Sequence, residues 1–342
     1  MEAVKKELLN LGRDYVVAVS TAAAVILTLF LLLQRKGKDV TGNWLPTKDN
    51  LAKRKFEAYA LHYTVIWIGI FMVVLVLQSY ETFTENGYMI LCVSLSLPFL
   101  LQPFIWPFEG ERNLPIYMRY SFKANVWIAI FSFVGNYWYT HYFYSVLKAS
   151  YTFPAHRLND VPIALYFATH FYFVTYHTFS NVMLRKIVTT YKAGWVRTFF
   201  FWFIVLAFSY FTAFMETLTI SSFPYYCFGD RAMVYRIGSA FYGIYFIVSF
   251  PTFYRLDEKV NNSKNIAENI PPHTLYQTVY EAMGASMMVL LMLDFSRLAL
   301  NIPLHIGGIG YYIYKEKIQC TATGALPTIE MKTNLLKKIF KF

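Results

Sequence analysis

Apolar positions in this chain come in long blocks divided by short polar stretches. Predominantly apolar runs of about 20 residues, the length that spans a bilayer core as a helix, occupy Tyr15–Leu33, Ala58–Gln78, Tyr88–Pro107, Ala124–Tyr144, Pro162–Leu184, Thr198–Ile220, Met233–Phe253 and Leu275–Leu298. In hydrocarbon a chain must satisfy its own backbone hydrogen bonds, which selects helices for runs of this kind. The pattern predicts an all-α fold, a polytopic transmembrane helix bundle with about eight spanning helices. The first run is longer than the apolar core of a signal peptide, and it ends in QRKGKD rather than a small-residue cleavage site, so it reads as a retained anchor. The segment NIPLHIGGIGYYIY (301–314) is too short and glycine-rich to span and is expected to lie in the interface or re-enter. Residues 1–57 thus form an extra N-terminal helix with a basic loop, 58–300 the membrane domain, and 301–342 a basic tail.

Composition narrows the class. Of 342 residues, 56% are hydrophobic and 20% aromatic, while only 15% are charged, against about 25% charged in soluble domains. A disordered chain and an ordinary soluble enzyme are both excluded. The net charge of +11 is spread in short clusters between apolar blocks, which does not suit nucleic acid. Three scattered cysteines, Cys92, Cys227 and Cys320, suggest neither a disulfide framework nor a metal site. Lysine and arginine set orientation. Loops 34–57, 108–123, 185–197 and 254–274 carry 17 of them, and the intervening loops 79–87, 145–161 and 221–232 carry 3, which places the first set in the cytoplasm. Basic residues are read as orientation and headgroup signals. The six lysines of the tail conflict with this unless a ninth short crossing exists near Pro303–Tyr314.

The loops are too short for a soluble catalytic domain, so chemistry must use groups in the bundle or at its rim. Ionisable residues inside spans are functional candidates by default. Glu216 shares a helical face with Ser209, Thr212 and Thr219, and no basic residue lies within a turn of it in its own helix. His170, His177 and Asn181 form a polar stripe on the fifth run, and Tyr137, Thr140, His141 and Tyr144 another on the fourth. Asp294 and Arg297 are three apart and able to pair, the structural reading of that acid. At 1.5 Å per residue, Glu216, His141 and Asp294 lie about 5–6 Å inside the non-cytoplasmic ends of their helices, and His170 about 12 Å. One polar layer in the outer half of the bundle follows. His177, deeper, reads as an interhelical hydrogen-bonding histidine.

The segments VGNYWYTHYF (134–143), SYTFPAHRLNDVP (150–162), FPYYCFGDRAMVYRIG (223–238) and FYGIYFIVSFPTFYRLDE (241–258) resemble the cycloeucalenol cycloisomerase family. YETFTE (80–85), KANVWI (123–128), FMETLTI (214–220) and LDFSRL (293–298) are similar in the same order, and the resemblance covers about 58–300. It implies a multi-pass enzyme of the endoplasmic reticulum membrane. Its reaction opens the 9β,19-cyclopropane ring of a 4α-methyl sterol, as from cycloeucalenol to obtusifoliol, without cofactor or metal.

Such a ring opening needs an acid for the bridging methylene, a cation-tolerant lining and a base. A carboxyl kept neutral by burial can deliver a proton at neutral pH, a dry site keeps water from the cation, and aromatic faces attract cations by about 0.5–2 kcal/mol each. Glu216 is the expected donor, Asp294 its support or a proton relay, and His141 the proton acceptor with His170 as alternate. Tyr137, Trp138, Tyr225 and Tyr226 are expected to line the sterol, with Asn136 either holding the 3-hydroxyl or joining helices. The partners expected are sterol and membrane lipid. Rival readings are a sterol isomerase that shifts a nuclear double bond, a non-catalytic sterol carrier, and an ion-coupled transporter. The last is disfavoured because internal repeats and Gly/Pro-broken helices at mid-membrane are not seen.

Overall fold

The computed structural model describes residues 16–17, 20–21, 23–37, 40–139, 141–221, 223–229, 234–258, 272–305 and 310–317, excluding the side chains of 139, 141, 221, 235 and 236. Helices carry the fold: α1 (Ala23–Leu32), α2 (Leu51–Val76), α3 (Glu85–Ile105), α4 (Tyr120–Val134), α5 (His141–Ser145), α6 (Ile163–Thr190), α7 (Trp195–Ser221), α8 (Ser239–Arg255) and α9 (Leu275–Ala299). The helical class is as the hydropathy pattern predicts. By length and composition four stretches among the described residues qualify as membrane spans, Lys48–Val76, Glu85–Ile105, Trp195–Ile220 and Leu275–Ala299. The described residues of the other predicted runs are also mostly helical, in segments that are shorter or more polar. Helix α6 carries His170, His177, Asn181 and Arg185, and α4 gives way after 15 residues to a π-helical turn, Gly135–Tyr139. A second π-helical turn, Val234–Gly238, leads into α8.

Local chemistry fixes the helix starts. Thr274 and Gln277 form a reciprocal capping box at α9, with Thr274 N–H donating to Gln277 Oε1 (2.8 Å) and Gln277 N–H to Thr274 Oγ1 (3.1 Å). At α4 the carboxylate of Glu111, from the preceding loop, accepts from Ser121 N–H and Ser121 Oγ at 2.7 Å each. That meets a helix N-terminus with negative charge.

The centre of the bundle is aromatic. Helix α7 packs chiefly on α8, α9 on α4 and α8, and α3 on α6. Where α4, α6 and α8 meet, Trp127, Phe131, Phe173, Phe246, Phe250 and Phe253 surround the His177 ring with centroids 5.1–6.4 Å away. His177 donates from Nδ1 to the Phe173 carbonyl (2.7 Å) and accepts at Nε2 from Ser249 Oγ (2.9 Å), joining α6 to α8. It is the interhelical histidine expected.

At the end of the bundle opposite the start of α2, two small sheets form a rim. Strand β1 (Ala149–Tyr151) pairs antiparallel with β4 (Tyr226–Phe228), and β2 (Ala155–Leu158) pairs with β3 (Val161–Pro162) and β5 (Tyr311–Tyr314). The register Ala155↔Tyr314 to Leu158↔Tyr311 sets the residues after α9 beside the α5–α6 connection. The described residues 310–314 therefore lie at the end where α9 finishes, and among the described residues no ninth crossing is seen near Pro303–Tyr314. Residues 306–309 of the segment expected to be interfacial or re-entrant lie outside the described part. Cys92 is free and buried, but Cys227 is disulfide-bonded, against the sequence expectation. An odd cysteine count forbids complete pairing, not a single bond.

Candidate active site

Glu216 sits one turn and a half from the end of α7, on the face that also carries the buried Ser209 and Thr212. Its Oε2 accepts a hydrogen bond from the Tyr242 hydroxyl of α8 at 2.8 Å, and the Tyr176 hydroxyl of α6 lies beside the same carboxyl. The phenols of Tyr142, Tyr172 and Tyr226 lie near enough to interact with its charge. Three helices, the short α5 and strand β4 thus converge on one acid. Among the described residues no lysine, arginine or histidine forms an ion pair with it.

The rings around this acid are themselves stacked in place. Tyr142 and Tyr242 lie parallel with centroids 5.7 Å apart and planes 7° apart. Tyr245 packs edge-on against both, at 5.6 and 5.2 Å, and Phe246 bridges Tyr242 to Tyr176 at 5.2 and 5.7 Å. Tyr226 is held on the other side by Tyr151 (5.2 Å) and Phe223 (5.7 Å). Such a setting presents several electron-rich faces and hydroxyl donors around a single carboxyl. Chemically it can hold a proton and receive positive charge.

The remaining sequence candidates are dispersed. His170 donates from Nε2 to Asn125 Oδ1 (2.8 Å), tying α6 to α4. Asn136 donates to the Ser132 carbonyl (2.8 Å) and Thr169 Oγ1 (2.7 Å), the helix-joining role considered for it. Tyr137 and Trp138 pack on one another at 4.9 Å, and Trp138 is 47% exposed. Tyr225 is buried and donates to the Glu81 carboxylate at the rim. Asp294 lies 3.4 Å from Arg297, which also donates to the Ile302 carbonyl at 2.8 Å. Of His141 only the backbone, opening α5 beside Tyr142, is among the described atoms. Tyr142, Tyr172, Tyr176 and Tyr242 were not singled out in the sequence. Their one signal is position: Tyr172 and Tyr176 are a turn apart on the polar fifth run, and Tyr142 and Tyr242 stand inside family-like segments.

A second polar cluster lies at the opposite end, where α2 and α9 begin and α6 and α8 finish. Arg185 grips Glu57 (2.7 and 2.8 Å) and Glu258 (2.7 Å twice), and Asn181 donates to Glu57 at 2.9 Å. Lys53 pairs with Glu258 at 2.9 Å and donates to the Tyr254 and Leu256 carbonyls. Lys123 bonds Asp257, which holds His273, itself 3.3 Å from Glu281. Burial favours a neutral Glu258, yet Lys53 and Arg185 outweigh it and hold the carboxyl below its ordinary value. Lys53, Lys123 and Arg185 are almost fully buried, so these three are ion-pair members rather than surface orientation signals. Among the described residues no group of three or more His, Cys, Asp or Glu side chains is placed to hold a metal ion.

Several apolar helices able to cross a bilayer, with an acid enclosed by phenols near one end, define a multi-pass membrane protein carrying a polar site within its bundle. A curated relative, cycloeucalenol cycloisomerase of Arabidopsis thaliana, is 41% identical over 275 residues, covering 76% of this chain and 91% of that protein. The chain belongs to the cycloeucalenol cycloisomerase family. No family model matches it, and no solved structure does.

Proposed function

We propose that the chain is a cyclopropyl sterol isomerase of sterol biosynthesis in which Glu216 is the proton donor. Its substrate is a 4α-methyl-9β,19-cyclopropyl sterol of the cycloeucalenol type, and the product is the sterol with a nuclear double bond and a new angular methyl group. The O–H bond of Glu216 breaks as a C–H bond forms at the bridging methylene. The carbon–carbon bond that opens supplies the electron pair, leaving a carboxylate on Glu216 and a cation on the ring. Loss of a proton from the neighbouring carbon then turns that C–H pair into the alkene. Atoms are conserved, and no oxidant or reductant enters.

The observation that carries this reading is the Glu216 carboxyl hydrogen-bonded by Tyr242 and enclosed by phenol rings, without a described cation to neutralise it. Proton delivery needs a carboxylic acid within reach of the substrate, and the rings offer the cation attraction without a strong nucleophile. His141 is the proposed proton acceptor, as the residue preceding Tyr142, whose ring stacks on Tyr242, the donor to Glu216. His170 stands as its alternate and Asp294 as an outer support. Tyr137, Trp138, Tyr225 and Tyr226 are proposed to contact sterol.

The location proposed is the endoplasmic reticulum membrane, with eight crossings and the charged cluster toward the cytoplasm. The basic-residue count and the disulfide at Cys227 support it, since disulfides persist on the oxidising, lumenal side. The Glu216→Gln protein, purified and given cycloeucalenol in vesicles, tests the donor role. Turnover should fall at least about 100-fold, the lower end of general-acid effects, with unchanged thermal unfolding. Near-normal turnover overturns it.

A further inference from the structure

We propose that Tyr242 is a positioning residue for the ring opening, one that assigns different tasks to the two oxygens of Glu216. This rests on the donor role of Glu216. The Tyr242 hydroxyl donates to Oε2 at 2.8 Å. An oxygen that accepts this bond serves as the carbonyl oxygen of the neutral acid, so the transferable proton resides on Oε1. When that proton leaves, the negative charge appears on a group already bonded by a phenol donor. Hydrogen bonds to a charged acceptor are stronger than those to a neutral one, so the interaction gains strength as the proton moves. That differential is what accelerates a step, because only interactions stronger in the transition state lower the barrier.

The surroundings show that Tyr242 is held for this task. Its ring is fixed by the parallel Tyr142 ring on one side and by Tyr245 and Phe246 on the others. Both members of the stacked pair come just after a π-helical turn: Gly135–Tyr139 precedes Tyr142, and Val234–Gly238 precedes Tyr242. Single π turns inside helices are frequent at functional sites. Tyr176, the second hydroxyl at the carboxyl, comes from α6 without such a turn.

Tyr242→Phe keeps the ring and removes the donor. The kcat should fall about 10- to 100-fold, the rate equivalent of one hydrogen bond to a charged group, with KM within about twofold. In the Glu216→Gln background the same change should cost nothing further, since the group it positions is gone. Infrared spectroscopy supplies a readout independent of turnover. The carboxyl C=O band that vanishes in Glu216→Gln should move to higher wavenumber in Tyr242→Phe, as a carbonyl does on losing a donor. If Tyr242→Phe turns over normally and leaves the band in place while Glu216→Gln is inactive, the positioning role is wrong and the donor role stands. If Glu216→Gln is active, the donor role itself fails.

Discussion

At one end of the bundle Glu57 is clasped by a bidentate arginine and an asparagine; at the other, Glu216 has phenols for neighbours. Both acids lie between helices, and the difference in partners separates their work. A carboxylate matched by Arg185, with Lys53 and Glu258 closing the network, is committed to an ion-pair lattice. Its value is geometric, since the network joins α2, α6 and the end of α8, and the neighbouring Lys123–Asp257–His273 group brings in α4 and the start of α9. An acid met by hydroxyl groups can change charge state without leaving an opposite charge stranded. Ion pairing anchors, and hydrogen bonding alone permits chemistry.

Breaking the anchor should produce the larger effect on stability. Arg185→Met leaves Glu57 and Glu258 short of their shared partner and should cost about 3–5 kcal/mol, the usual penalty for orphaning a buried charge, as a fall in unfolding temperature of the detergent-solubilised protein. Glu216→Gln should leave that temperature in place. Equal destabilisation by the two variants would erase the contrast. Ser249→Ala removes the donor to His177 Nε2 and should cost about 1–3 kcal/mol, the desolvation penalty of an unsatisfied buried acceptor, with turnover retained.

The smallest effect is a pH dependence confined to the anchored end. Hydrogen bonds to Asp257 and Glu281 raise His273 to about 9, against its partial burial. Its stabilising contribution is complete below the free imidazole value of 6.5 and is lost as pH rises through about 9. Burial favours a neutral Asp257, but His273 and Lys123 outweigh it and hold the carboxyl below its ordinary 3.8. Its contribution is present above 3.8 and is lost as pH falls through the lowered value. Melting curves of His273→Gln should lack the decline between pH 7 and 10; an identical decline in both proteins removes His273 as its source.

Hydropathy made the helices readable because bilayer spans and buried helices share one signal, a long apolar block; α2, α3, α7 and α9 fall within or overlap the expected runs. Glu216 stood out for the same reason, as a lone acid in such a block. Its partners did not. With 28 tyrosines in the chain, Tyr142, Tyr176 and Tyr242 differ from belt or packing tyrosines only through helix phase, which hydropathy does not record. Lys53, Lys123 and Arg185 sat near span ends, where basic residues usually mark topology, and only the packing shows each meeting an acid from a distant segment. Strand β5 was missed because its partner in β2 is more than 150 residues earlier.

The π turns bear on how lengths are compared between relatives. Each accommodates one residue beyond what a regular helical turn would need. A one-residue gap placed within 234–238 when two such chains are aligned would look harmless. Physically it would swing whatever follows by about 100° around the helix axis and carry the Tyr242 hydroxyl off its carboxyl. In this stretch, counting residues is equivalent to measuring an angle.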